Sequence, residues 1–148
     1  MAKTSVNRAS KAKTTTTAPA QPATKAPARK RLPKAIAAAV RAAQSKKATD
    51  VVVLDLRKAG GFTDYFVICT GENTRQINAI ADAVRETLKS ELGERPVLAE
   101  GEDRSEWILL DYFNFVVHVF SRECRAFYDL ERLWGAAVRV TVEDVAQA

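Results

Sequence analysis

Residues 34–148 predict an α/β domain built on a single-layer mixed β-sheet, with helices packed mainly on one face. Three observations carry this. Apolar residues recur at helical spacing in two long stretches, β-branched and aromatic residues cluster in runs of strand length elsewhere, and the order is helix, two strands, helix, three strands, helix. At 148 residues the chain is long enough for one such domain.

The first helix starts at Pro33, a residue suited to a first turn, and AIAAAVRAAQ places Ile36 and Val40 four apart; it should stop near Ser45. VVVLDL, 51–56, is the first strand. The apolar part of FTDYFVICTG, 62–71, is the second, and Lys58-Ala59-Gly60-Gly61 between them permits a tight reversal into an antiparallel pair. TRQINAIADAVRETLKSEL is the strongest helix, with Ile77, Ile80, Ala81, Val84 and Leu88 on one face. Asn73 can cap its start with Gln76 reaching back, and Gly93 can end it. RPVLAEG gives a short strand, then EWILLD and FVVHVF form a hairpin around Tyr112 and Phe113. Ser121 can cap a last helix running through Trp134 that buries Phe127, Leu130 and Trp134, and VRVTV, 138–142, adds an edge strand.

Charge divides the chain. Residues 1–34 hold nine of the 23 Lys and Arg and none of the 18 Asp and Glu, which leaves 14 basic against 18 acidic residues and a net charge of about −4 for the rest. Residues 1–33, rich in Lys, Thr, Ala and Pro, have too few large apolar groups to offset the entropy of ordering and are expected to be disordered. Two readings of this tail stay open: an extension of a bacterial cytoplasmic protein, or an organelle transit peptide. An acidic domain argues against an RNA-binding module, and no apolar run reaches the roughly 18 residues of a membrane span.

Catalytic motifs are weak. Cys69-Thr70-Gly71 ends a run apolar on both faces, so Cys69 reads as a small core residue, with a nucleophile as the alternative. GENTRQ has one glycine where a phosphate loop needs several. Cys69 and Cys124 lie far apart without a CxxC pair, as in two buried thiols in a reducing compartment. The loop AEGEDRSE, with Glu100, Glu102, Asp103 and Glu106, lacks calcium-loop spacing and reads as a solvated turn. No metal site and no cofactor are expected.

If Tyr112-Phe113 is a two-residue turn, Asp111 faces Asn114, Leu109 faces Val116 and Trp107 faces His118. One face then carries Trp107, Leu109, Asp111, Asn114, Val116, His118 and Phe120; the other is wholly apolar, with Ile108, Leu110, Phe115, Val117 and Val119, and must meet the helices. An aromatic, aliphatics and a few directional polar groups are the composition of an interface patch. The candidate partner-binding residues are Trp107, Leu109, Asp111, Tyr112, Asn114, Val116 and His118; the alternative is that Trp107 is core and His118 a buried imidazole.

DVVVLDLR, FTDYFVICTGENTRQ, AEGEDRSEWILLDY, VVHVF and YDLERLW, in that order, resemble the ribosomal silencing factor family, also called RsfS or Iojap, over about Lys34 to Trp134. The resemblance implies a nucleotidyltransferase-like topology and a non-enzymatic role. Such proteins bind the large ribosomal subunit through its fourteenth protein and sterically block small-subunit joining, repressing translation when nutrients are short and preventing premature joining during assembly. The partners expected are that subunit, rRNA through the basic tail, and a second copy of the chain off the ribosome. Where a Gly-Asp pair is common at the hairpin turn, this chain has Phe113-Asn114. Alternatives are a large-subunit assembly factor or a nucleotidyltransferase-like enzyme. The enzyme would need paired carboxylates beside a Gly-Ser loop, but Asp50 and Asp55 are five apart and no Gly-Ser dipeptide occurs.

Overall fold

The structure, a computed structural model, describes residues 32–140. The expected tail, apart from Leu32 and Pro33, lies outside the described residues, as do the last two residues of the expected edge strand. Helix α1, Lys34–Ser45, begins where the Pro33 carbonyl accepts from the amides of Ile36 and Ala37, and its small alanines are buried almost all round. Strands β1, Thr49–Asp55, and β2, Tyr65–Gly71, pair antiparallel. The connection between them is no tight reversal: β2 starts only at Tyr65, and Phe62, expected in that strand, stands 75% exposed in the loop.

Helix α2, Thr74–Leu92, has the predicted caps: Asn73 Oδ1 accepts from the Gln76 amide at 2.8 Å, and Gly93 closes the helix in the left-handed region. Gln76 reaches one residue further back than expected, accepting from the Glu72 amide at 2.6 Å, while its Nε2 donates to the Lys46 and Lys47 carbonyls at the end of α1. β3, Leu98–Glu100, β4, Trp107–Asp111, and β5, Phe115–Ser121, follow. α3, Arg122–Tyr128, α4, Leu130–Leu133, and β6, Val138–Val140, complete the described residues.

The sheet order is β3-β4-β5-β2-β1-β6, with β2 and β5 parallel and the other pairs antiparallel. β2, central and buried at all seven positions, explains its unbroken apolar run. α1 and α2 cover one face, sealing a core that includes Ile36, Val40, Ile77, Ile80, Val84, Leu88, Val67, Cys69, Leu110 and Val117.

Two further expectations are corrected. The hairpin turn is Phe113-Asn114, because the Tyr112 amide donates to the Phe115 carbonyl at 2.9 Å and the Tyr112 ring stacks on Phe115 in the helix-side core. Asp111 therefore faces Val116, Leu109 faces His118 and Trp107 faces Phe120. The slip is two residues, so each side chain keeps its face. The last helix, expected to be continuous, breaks at Asp129, whose φ is 47°; Phe127 points outward at 80% exposure, and Leu130 and Trp134 are half-buried.

Candidate docking surface

The register of the sheet lays out its second face in rows. One row runs Leu98, Asp111, Val116, Phe66, Leu54; the next runs Glu100, Leu109, His118, Ile68, Val52; the third holds Trp107, Phe120 and Thr70. Toward β1 and β2 this face is covered by the C-terminal segment, with Cys124, Leu130, Trp134 and Ala137 packed on Leu54, Phe66, Ile68, Val116 and Phe120. The cover is clamped by Arg125, which is bonded bidentately to Glu131 at 2.8 and 3.2 Å and also donates to Thr70 Oγ1 and the Asp50 carbonyl. Toward β3 and β4 no element among the described residues covers it.

This cover divides the predicted site residues. Trp107, Leu109 and Asp111 are half-buried on the open part, and Asn114 is exposed in the turn. Val116 and His118, at 2% and 3% exposure, are buried on this face, and Tyr112, at 6%, projects into the helix-side core. Alternation along each strand sets its parity but carries no mark of residues 122–137 returning across the sheet.

Behind the open part, Trp107 is held by its neighbours. Its Nε1 donates to His118 Nδ1 at 3.1 Å, and its ring stacks on Phe120 at 4.9 Å and leans on Tyr128 at 4.6 Å. Burial pushes the His118 imidazole down to about 3, so it stays neutral with Nε2 protonated, and that nitrogen has no hydrogen-bond partner. The indole is thus held in one orientation by a hydrogen bond and two aromatic contacts.

The acidic loop is less free than its composition suggests. Gly101 sits at φ 87°, and a Cβ there would lie 1.9 Å from the Trp107 carbonyl. Ser105 is buried and accepts from Asn78 Nδ2 at 2.7 Å, and Glu102 pairs with Arg85 of α2. The loop is pinned to α2, which fixes the start of β4.

The candidate catalytic groups are placed otherwise. Cys69 is fully buried and its thiol is pushed up to about 12 by burial, which removes the thiolate a nucleophile needs. Cys124 is half-buried, contrary to the expectation of two buried thiols, with its Sγ 3.8 Å from Glu106 Oε1. Asp55 is engaged by Arg57 at 2.7 and 3.0 Å, which holds its carboxyl below the usual range. Among the described residues no group of three or more His, Cys, Asp or Glu is placed to hold a metal ion, and no helix is long and apolar enough to cross a membrane.

The described residues thus form a small open-sheet α/β domain with one face sealed by helices and an aromatic-lined second face that the C-terminal segment covers in part. Over residues 29–148 the chain matches the model of the family described as ribosomal silencing factor during starvation. It is 39% identical over 107 residues to the ribosomal silencing factor RsfS of Halalkalibacterium halodurans, covering 72% of this chain and 91% of that protein. It is 40% identical over 99 residues to the protein of the same name from Bacillus subtilis, covering 67% and 83%. A crystal structure of a Chromobacterium violaceum protein superposes with a TM-score of 0.66 at 35% identity, covering 69% of this chain and 84% of that one. The chain belongs to the ribosomal silencing factor family.

Proposed function

We propose that this protein is a ribosome-associated silencing factor of the cytoplasm. It docks on the large subunit through that subunit's fourteenth protein, using the open part of the sheet around Trp107, Leu109, Asp111 and Asn114, and its bulk keeps the small subunit from joining. Family membership across residues 29–148 carries the reading. The half-buried indole, anchored from behind by His118 and Phe120, supports the location, because well-packed central aromatics contribute most to protein interfaces. Occlusion needs affinity and volume and no chemistry, and the burial of Cys69 and the engagement of Asp55 by Arg57 fit a protein without turnover. The basic residues of 1–31 add contacts to rRNA phosphates.

Sedimentation with purified subunits tests this. The protein should travel with the large subunit, and adding small subunits should yield fewer joined ribosomes than in its absence. Co-sedimentation with the small subunit alone, or unimpaired joining at saturating protein, would overturn the reading.

A further inference from the structure

Phe127 and Tyr128 stand 80% and 47% exposed on α3, where one continuous helix would have buried the first of them. Single exposed apolar residues are ordinary, but these join a larger patch. The Tyr128 ring lies 4.6 Å from Trp107, the Phe127 ring lies 4.9 Å from Tyr128, and Leu109 follows Trp107 two residues along the same face. Across β3 the patch reaches Leu98, 46% exposed and opposite Asp111. Apolar side chains therefore run from Leu98 at the sheet edge, diagonally past Leu109 to the indole, and up onto α3.

The margin of the strip is acidic. Glu100 lies opposite Leu109, Asp111 shares the Leu98 row, Glu106 touches Cys124, and Glu123 stands one helical turn before Phe127. None of these four carboxylates is in an ion pair among the described residues, whereas Arg122 is engaged by Glu72 at 2.5 Å and Arg85 by Asp82 and Glu102. Arg104 is the basic residue of the neighbouring loop. A phosphate backbone would meet repulsion here; a protein surface with Lys and Arg around an apolar centre would not.

We propose that α3 is the second half of the docking surface, and that its occupant is a basic protein surface whose apolar centre rests on Trp107, Tyr128 and Phe127. The proposal rests on the silencing reading and names residues that reading does not need. Breaking the helix at Asp129 turns Phe127 outward, and the Arg125 clamp on Glu131 and Thr70 holds α3 against the sheet so that Tyr128 continues the indole surface.

The test measures affinity and association rate of the full chain for purified large subunits, with melting temperature alongside. Phe127→Ala should weaken binding by about tenfold with an unchanged melting temperature, while Phe127→Tyr, which keeps the ring, binds like the original protein. Glu100→Lys should slow association several-fold at low salt, and the difference should vanish near 1 M salt, where screening is effective within about 3 Å. If the unaltered protein binds and Phe127→Ala binds equally well, α3 is no part of the surface and this inference alone fails. If Glu100→Lys tightens binding, the occupant is nucleic acid and the inference is overturned. If the unaltered protein does not bind large subunits, the silencing reading fails and this inference with it.

Discussion

His118 illustrates how one side chain can be legible in sequence as to face and illegible as to role. Alternation along β5 put it on the same face as Trp107, and the structure agrees, with Leu109 opposite it. Its burial comes from the rings of Trp107, Phe66 and Phe120, and of these Phe66, on β2, lies far off in sequence and leaves no periodic mark along β5. Cys69 was the easier case, because an unbroken apolar run already implies burial on both faces. The His118 environment gives a pH prediction. The ring's folded value, about 3, lies below its ordinary 6.5, so between these values the unfolded chain binds a proton that the folded chain refuses. Stability should therefore fall on acidification below about pH 6.5, by up to roughly 1.4 kcal/mol per pH unit from this group. Asp55 and Glu131, with values held below their ordinary 3.8 and 4.5 by Arg57 and Arg125, contribute stability that is lost only at lower pH still. Denaturant midpoints between pH 6.5 and 5 should thus slope in the original protein and flatten in His118→Phe; equal slopes would show that His118 is not the group responsible.

The hairpin of β4 and β5 shows which features of an element its sequence can specify. The strands and their faces followed from alternation, but the turn did not, because an aromatic at Tyr112 or at Phe113 suits the same pattern. Packing decided it: Tyr112 stacks on Phe115 at 4.9 Å in the helix-side core, which leaves Phe113 to take φ 77°. A bulky residue in the left-handed region costs about 1–2 kcal/mol, held here by the Phe113 amide donating to Asp111 Oδ1 and by Thr63 Oγ1 donating to the Phe113 carbonyl. Phe113→Gly removes that cost and adds a smaller one, about 0.5–1 kcal/mol, in the freedom glycine loses on folding. The variant should be more stable by up to about 1.5 kcal/mol, read as a higher denaturant midpoint with an unchanged slope. A lower midpoint would mean that the exposed Phe113 ring contributes packing that outweighs its backbone strain. The broken C-terminal helix has the same origin: Phe127, Leu130 and Trp134 fit one helical stripe, and only the ion pair of Arg125 with Glu131 across the break discloses the turn at Asp129.

The chain as a whole separates its charges and its tasks. Eight Lys and Arg and no Asp or Glu fall in residues 1–31, while the rest of the chain is net acidic and, among the described residues, has four carboxylates outside any ion pair around the open face. Composition made that division visible at once, because it needs no knowledge of packing. The family match begins at residue 29, Leu32 packs against the helix-side core, and residues 1–31 carry few large apolar side chains. Deleting residues 1–31 should therefore leave a cooperative melting transition at nearly the same temperature. Binding to the large subunit should persist but weaken, and the loss should depend on salt. Each phosphate contact made by a tail cation contributes roughly 0.7–0.9 to the slope of log affinity against log salt, so the full chain should show the steeper line and the two lines should converge at high salt. Parallel lines would show that the tail does not touch rRNA on the ribosome, and a broadened or lowered melting transition in the truncated chain would show that residues 1–31 contribute to the stability of the domain.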